Sequence, residues 1–281
     1  IKMKHIIITG ASSGIGFATA SHLAQNGYHV FGSVRKKEDG EKLKNHLGEN
    51  FSPLLFDITC SDQINQALNE LKMQLNPEDE IIALINNAGV FEGGPILEID
   101  SDAFRRVFEV NFFSLISFIQ KCFPIMQEYQ SKNKNPQIIN ISSVSGLIPI
   151  PFMSPYVCSK FALEAFSDTL RMELMIKDFK VVIIEPGPVK TPIWEKAKKY
   201  QTKLQPENIY YHPVNKLFKM SMKEGLNGSE PHKVAKLIYK IIHKKNPKTR
   251  YLISTNRFHN YLMRRLPRKL VDRIIKKVFF S

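Results

Sequence analysis

Residues 4–16 read KHIIITGASSGIG, in which a run of β-branched residues is followed directly by a cluster of glycines. The run predicts a short buried strand, and the pattern from Gly14 to Asn26 predicts a helix that ends at Gly27. A strand that turns through glycine into a helix is the repeating unit of parallel α/β sheets. This stretch therefore indicates the fold class.

The same alternation of strands and helices continues along the 281 residues. Further apolar runs have the length of strands and are bounded by turn residues, at 28–34, 51–56, 80–86, 137–142, 181–185 and 250–254. Helical patterns separate them, most clearly at 61–75, 102–128 and 156–177. Strands joined in this way predict right-handed crossovers and a doubly wound parallel sheet of about seven strands, with helices on both faces.

The organisation of the chain predicts one domain, because no linker or internal repeat divides residues 1–281. Residues 192–231 contain scattered aromatic residues and several turn signals but little strand alternation. We interpret them as a lid of short helices over a substrate site, with an ordinary long surface connection as the alternative. Trp194 lies in this segment, where an indole can line a pocket or fill the core.

The composition is that of an ordinary soluble globular protein, with 43% hydrophobic and 23% charged residues. The three cysteines, Cys60, Cys122 and Cys158, are far apart, and no two histidines are four residues apart. We therefore predict neither a disulfide framework nor a metal site, and a cytoplasmic location. The first strand leaves no room for a signal peptide, and the apolar stretches are too short to span a bilayer.

The net charge of +14 is carried entirely by the C-terminal part of the chain. Residues 1–231 contain 25 basic and 25 acidic residues, whereas residues 232–281 contain 15 basic residues and one acid, Asp272. Within the basic extension at 256–281, Pro267 divides two short amphipathic helices. Their apolar stripes can pack against the domain, or the extension can dock on an anionic membrane or an acidic protein. A solvated basic face is the remaining interpretation, and the lack of a recognisable module argues against nucleic acid.

The glycines at the end of the first strand predict a phosphate-binding turn. Their spacing lets main-chain N–H groups approach a pyrophosphate at the N-terminus of the following helix. The predicted cradle consists of Gly10, Ser12, Ser13, Gly14, Ile15 and Gly16.

The residues after the second strand bear on which nucleotide binds there. Many NAD-binding proteins place an acid at this point, which accepts a hydrogen bond from the ribose 2′-hydroxyl. Here the chain reads Ser33-Val34-Arg35-Lys36-Lys37, and Arg35 can donate two charge-assisted hydrogen bonds to a 2′-phosphate. The sequence therefore favours NADP(H) over NAD(H) as the cofactor.

A tyrosine and a lysine four residues apart, Tyr156 and Lys160, share one face of a predicted helix. Because a nearby ammonium favours ionisation of a phenol, we expect Lys160 to lower the pKa of Tyr156, the candidate proton donor or acceptor. Ser143, at the end of a predicted strand, can hold a substrate oxygen, with Ser142 as its competitor. Asn111 lies in an apolar helix and is either a fourth member of the site or a core-capping amide.

These pieces occur in one order and together resemble the short-chain dehydrogenase/reductase family, of the subtype with a single Rossmann domain. Residues 9–16 match its TGxxxGxG loop, Asn86 to Gly89 match NNAG, and residues 156–160 match YxxxK. The resemblance covers about residues 3–195. It implies a catalytic tetrad of Asn111, Ser143, Tyr156 and Lys160.

Further roles are implied by the same resemblance. Lys160 would also bond the nicotinamide ribose, and Asn111 would hold a water in a proton relay. Asp57 and Ile58 match the residues that contact adenine, and residues 186–191 match a PGxxxT loop whose threonine meets the nicotinamide carboxamide. The remaining implied cofactor contacts are Asn87, Ala88, Gly89, Pro186, Gly187, Val189 and Thr191.

The expected activity is interconversion of a carbonyl and an alcohol on a mainly apolar small molecule such as a steroid, a retinoid or a lipid. NADP(H) would supply or accept the hydride. The alternative is a non-catalytic NADP-binding scaffold or redox sensor. The presence of all four side chains of the tetrad argues against this alternative. The resemblance also implies a homodimer or homotetramer.

Overall fold

Seven parallel strands form a single sheet in the computed structural model, which describes residues 2–131, 135–195, 204–254, 262 and 265–280. The strands are β1 Lys4–Ile8, β2 His29–Val34, β3 Phe51–Leu55, β4 Glu80–Asn86, β5 Gln137–Ile141, β6 Lys180–Pro186 and β7 Arg250–Ile253. They lie in the order β3-β2-β1-β4-β5-β6-β7. Because the order reverses between β1 and β4, the loops that leave these two strands open a crevice at the carboxyl edge of the sheet.

Helices cover both faces of the sheet. Those in the described part of the chain are α1 Gly14–Gln25, α2 Lys37–Leu47, α3 Ser61–Met73, α4 Ser101–Phe108, α5 Ser114–Glu128, α6 Ser154–Glu173, α7 Tyr211–Leu226, α8 Pro231–His243 and α9 Arg268–Phe279. One core cluster joins α1 to α8 through residues such as Leu23 and Ile238, and the other joins α3 to α5 through Leu68 and Phe118. The predicted doubly wound parallel sheet is confirmed.

The helix predicted over 102–128 is interrupted in the structure. A π-helical turn at Glu109–Phe113 separates α4 from α5. The side chain of Asn111 is buried from this turn, and it hydrogen-bonds the loop after β4. The interruption therefore serves a contact between distant parts of the chain, which helical periodicity does not encode, and π turns often accompany functional sites.

In its described residues, the segment predicted as a lid of short helices is helical at 193–195 and contains the long helix α7 after a loop. Residues 196–203 of the predicted lid lie outside the described residues. Helix α7 has two turn residues directly after it, Asn227 and Gly228, as the sequence indicated. The side chains of α7 that face the domain line a cleft at the carboxyl edge of the sheet.

The C-terminal helix α9 begins after Pro267, where the sequence predicted a helix boundary. Val271 and Phe279 are buried, so the apolar stripe of α9 packs on the domain, and α9 lies against α7. Most of the helix predicted before Pro267 lies outside the described residues. Across the described ranges, every helix is too short or too polar to cross a bilayer.

Candidate active site

The glycine turn after β1 forms a cradle that excludes larger side chains. Gly10 and Gly14 have φ angles of 70° and 58°, a backbone conformation that favours glycine. A Cβ on Gly16 would lie 2.1 Å from the carbonyl oxygen of Gly10. Ser12 and Ser13 are exposed at the rim of the turn, and Ile15 packs against the core. The turn therefore has room for a ligand only because three positions carry no side chain.

The loop after β4 is tied directly to this cradle. Asn87 donates from Nδ2 to the carbonyl oxygens of Thr9 and Gly10, both at 3.0 Å. The Thr9 hydroxyl accepts hydrogen bonds from the backbone N–H groups of Asn87 and Ala88, again at 3.0 Å. Gly89 continues this loop toward the amine of Lys160. The structure thus brings together two motifs that are about 75 residues apart in sequence.

Two charged side chains meet beside the cradle, at the ends of β2 and β3. Arg35 is exposed, and its Nη1 lies 3.9 Å from Oδ2 of Asp57. Hydrogen bonds from the backbone and hydroxyl of Thr59, together with the charge of Arg35, lower the pKa of Asp57 even though partial burial acts to raise it. The side chain of Ile58 packs in the core, and its contact with adenine stays a prediction.

The loop after β6 returns to the same cradle. Pro186 ends β6, and Gly187 donates its N–H to Ile253 at 2.8 Å. The side chain of Thr191 lies close enough to Gly14 that a Cβ there would meet its Cγ2 at 3.0 Å. Val189 is buried, and its carbonyl accepts a hydrogen bond from the Trp194 indole at 2.7 Å. The predicted PGxxxT loop is therefore adjacent to the predicted phosphate turn.

Two hydroxyl groups meet at the carboxyl end of β5. Ser143 caps a short 3₁₀ turn by accepting a hydrogen bond from the N–H of Ser145 at 3.1 Å, and its hydroxyl hydrogen-bonds Tyr156 in the first turn of α6. The neighbouring Ser142 is buried, and its hydroxyl lies on the side of Glu164. The structure therefore places Ser143, and not Ser142, beside the phenol.

Lys160 lies one helical turn after Tyr156 and is buried. Its Nζ donates to the carbonyl oxygen of Ile141 at 2.9 Å and lies 5.8 Å from the centroid of the Tyr156 ring. Burial lowers the pKa of Lys160 to about 8, against an opposing effect of Glu164. At neutral pH the amine is still mostly protonated.

The electrostatics of Tyr156 differ from the sequence prediction. Burial raises the pKa of the phenol, and the hydrogen bond with Ser143, which lowers it, does not compensate. The net shift is therefore opposite to the lowering expected from Lys160, whose amine lies over the ring and donates to a backbone carbonyl. The phenol is therefore protonated at neutral pH and suited to give a proton.

Asn111 is buried, and its side chain is held by two neighbouring segments. Its Oδ1 accepts from the N–H of Val90 at 2.8 Å, and its Nδ2 donates to the carbonyl of Val90 and to the hydroxyl of Ser159, both at 3.0 Å. Ser159 in turn donates to the carbonyl oxygen of Tyr156 at 2.7 Å. Asn111 thus fastens the loop after β4 to α6, and its role with a water stays a prediction.

Sequence reasoning missed the residues that surround the predicted tetrad. Ser159 carried a signal, since it lies between Tyr156 and Lys160, whereas Glu164 and its partner Arg250 carried none. Arg250 Nε lies 3.2 Å from Oε2 of Glu164 across 86 residues of sequence. Only the folded chain brings this pair behind the site.

An apolar cleft opens beside Tyr156. Phe91 lies in its wall, with its ring centroid 5.4 Å from that of Tyr156. Trp194 is half-buried and fills both roles considered from the sequence, since its indole packs on Gly225 and also lines the cleft. The other lining residues come from two loops and α7, among them Phe152, Met153, Leu217, Phe218 and Met222.

Comparison with known proteins identifies the family of this chain. Residues 4–202 match the model of the short chain dehydrogenase family. An NADPH-dependent 3-dehydrocapnine reductase from Ornithobacterium rhinotracheale is 34% identical over 99% of this chain and 97% of its own length. A 3-ketodihydrosphingosine reductase from Bacteroides thetaiotaomicron is 32% identical over 86% of this chain and 84% of its own.

A solved structure shows the same fold. A short chain dehydrogenase/reductase from Burkholderia phymatum in complex with NAD has a TM-score of 0.78, with 22% identity over 96% of this chain and 95% of its own. The chain belongs to the short-chain dehydrogenase family and is an oxidoreductase.

The buried amine gives a prediction for stability. The pKa of Lys160 falls from 10.5 to about 8 on folding, which corresponds to about 3 kcal/mol of destabilisation at neutral pH. Lys160→Met removes this cost but leaves the carbonyl of Ile141 without its partner, a loss of about 1 kcal/mol. We expect the variant to be about 2 kcal/mol more stable than wild type at pH 7, measured by denaturant unfolding.

The sign of the pH dependence follows from proton binding. Between pH 8 and 10.5 the unfolded chain binds more protons at Lys160 than the folded chain, so wild-type stability gains with rising pH in that window. The advantage of Lys160→Met should therefore shrink from pH 8 upward. Lys42→Met, at an exposed position on α2, should show a constant difference. A constant difference for Lys160→Met would contradict the prediction.

Proposed function

We propose that this protein is an NADP(H)-dependent oxidoreductase that interconverts a ketone or aldehyde and an alcohol on a mainly apolar, lipid-like substrate. The observation that carries the proposal is the apolar cleft, whose wall residue Phe91 packs with its ring tilted against the protonated phenol of Tyr156. An apolar cleft with few convergent polar groups is the usual form of a site for an apolar small molecule.

The residues of the cradle fit a dinucleotide. The crowding at Gly16 and the positive φ angles of Gly10 and Gly14 keep side chains out of the turn before α1, where backbone N–H groups can bind phosphate. We assign the pyrophosphate to this turn, the adenosine to Asp57 and Arg35, and the nicotinamide half to the loops that carry Asn87, Gly89, Gly187 and Thr191. When bound, NADP(H) supplies or accepts the hydride.

The protein contributes position and a proton. Ser143 holds the carbonyl oxygen by its hydroxyl, and Tyr156 donates a proton to the same oxygen as the alcohol forms. Lys160 contributes a buried positive charge that stabilises the phenolate left behind. Asn111 and Ser159 fix the loop after β4 against α6 and so maintain the distances between these groups.

The names of two relatives support reduction of a carbonyl group. One is named an NADPH-dependent 3-dehydrocapnine reductase and the other a 3-ketodihydrosphingosine reductase. NADPH oxidation should be followed with ketones of increasing chain length. We expect kcat/KM to rise by roughly fourfold for each buried methylene until the cleft is filled. Equal turnover of short polar ketones would contradict the apolar substrate.

The non-catalytic alternative makes a different prediction in the same assay. A scaffold or redox sensor would bind NADPH but turn over no member of the ketone panel. The hydrogen bond between Ser143 and Tyr156 and the position of Lys160 favour an enzyme, since a scaffold has no use for this arrangement.

Arg35 gives a test of cofactor preference. Its exposed guanidinium at the end of β2 can pair with a 2′-phosphate, which NADH lacks. Arg35→Ala should weaken NADPH binding by roughly 10- to 100-fold while NADH binding stays within about twofold, measured by fluorescence titration. Lys42→Ala removes a positive charge from α2 and is the control. Equal losses for both cofactors would contradict a phosphate contact.

Self-association is part of the proposal. Phe113, at the end of the π-helical turn before α5, and Met172 on α6 are large apolar side chains exposed to solvent, as apolar residues of an interface between subunits would be. We infer a homodimer or homotetramer, and light scattering of the purified protein measures its mass directly.

A further inference from the structure

The mouth of the apolar cleft is surrounded by exposed apolar side chains. Leu97 is 83% exposed, Ile209 79%, Ile96 63% and Phe280 51%. Single exposed apolar residues are common on protein surfaces, but a group of them around one opening marks an interaction site.

Contacts within the structure place these residues on one rim. Glu98, beside Leu97, accepts hydrogen bonds from Asn208, beside Ile209, at 2.8 and 2.9 Å. The ring of Phe152 lines the cleft and lies 6.0 Å from the ring of Tyr210 and 6.0 Å from that of Phe280. Three segments that are distant in sequence therefore meet around Phe152, each with an apolar side chain directed to solvent.

Helix α9 adds positive charge to this rim. Its buried residues Val271 and Phe279 fix which face is turned outward. The charged residues of the opposite face are all basic, namely Lys269, Arg273, Lys276 and Lys277. The same face carries the exposed apolar residues Leu270 and Phe280. The helix contains five basic residues and one acid, Asp272.

We propose that this rim docks on the surface of an anionic lipid bilayer, so that the cleft opens toward the membrane and takes its substrate from it. The inference rests on the proposed function for the nature of the substrate. Interfacial lipid binding requires exposed apolar side chains beside clustered basic residues. The apolar side chains insert below the lipid headgroups, and the basic residues neutralise the negative charge of the headgroups. A protein partner would have to match the shape of both the apolar ring and the basic face of α9, whereas a bilayer can contact both without a specific shape.

Vesicle sedimentation tests the basic part of the surface. The full chain is mixed with vesicles of phosphatidylcholine, with or without about one third phosphatidylglycerol. We expect binding to the anionic vesicles, weakened roughly 25-fold in Lys269→Gln/Arg273→Gln, since each basic residue near the surface contributes about fivefold. The control Lys245→Gln/Lys248→Gln removes the same charge at the opposite edge of the sheet and should bind within about twofold of wild type.

The apolar part is tested with a second pair of variants. Leu97→Ser/Ile209→Ser should bind anionic vesicles at least tenfold more weakly, because two side chains lose their place in the bilayer. Met73→Ser, equally exposed at 83% on the far side of the sheet, is the matched control.

The outcomes separate docking from catalysis. NADPH oxidation with a water-soluble ketone and no vesicles should be equal in wild type and Lys269→Gln/Arg273→Gln. Vesicle binding that is independent of phosphatidylglycerol, or equal in both charge pairs, would overturn the docking surface and leave the proposed activity intact. A lower mass of Leu97→Ser/Ile209→Ser in light scattering, with unchanged vesicle binding, would overturn it in favour of contact between copies of the chain. Absence of any turnover by wild type, with charge-dependent vesicle binding, would instead overturn the proposed function.

Discussion

Tyr156→Phe should reduce kcat by about 1,000-fold while NADPH still binds with nearly its wild-type affinity. The substitution removes the proton that the phenol gives to the carbonyl oxygen, a contribution typical of general acid catalysis. The remaining ring is nearly isosteric, so its contact with Phe91 at 5.4 Å and the apolar cleft persist. Single-turnover kinetics and fluorescence titration measure the two quantities separately.

The control for this variant is Tyr251→Phe. It also removes a hydroxyl that accepts a hydrogen bond, from the N–H of Lys248 at 2.9 Å, but this hydroxyl lies at the opposite edge of the sheet. Its kcat should stay within about twofold of wild type. If Tyr156→Phe kept more than a tenth of wild-type turnover, another group would be the proton donor.

Gly16→Ala should abolish cofactor binding and lower the free energy of unfolding by about 3 kcal/mol. The new methyl group would lie 2.1 Å from the carbonyl oxygen of Gly10 and 2.6 Å from Nδ2 of Asn87. Because both atoms belong to the hydrogen-bonded link between the turn and the loop after β4, neither can move without breaking it. NADPH titration and urea unfolding measure the two effects.

Gly27→Ala is the matched control for a glycine substitution. Gly27 has a φ angle of 81°, so alanine is strained there by about 1 kcal/mol, but its Cβ would meet nothing within 4 Å. Cofactor affinity should be unchanged. Equal losses of affinity in the two variants would show that the effect of Gly16→Ala comes from general destabilisation and not from the cradle.

The geometry of the cradle and of the helix that carries Tyr156 was predictable because both are local. The spacing of a few residues determines where glycines leave space in the cradle. It also places a tyrosine and a lysine on one face of a helix. The interruption of the helix at Asn111 was not predictable. It depends on hydrogen bonds to Val90 and Ser159, 21 and 48 residues away, which no periodicity encodes.

By itself the sequence determined the parallel α/β sheet, the order of the motifs and the family, since apolar periodicity and glycine spacing act within one strand or one turn. Only the tertiary structure decided that Ser143 and not Ser142 meets Tyr156, and that burial raises the pKa of the phenol. Only the folded chain likewise gathers Leu97, Ile209 and Phe280 around one cleft. The physical reason is that burial and long-range contact arise from packing among distant segments, whose net effect no local pattern specifies.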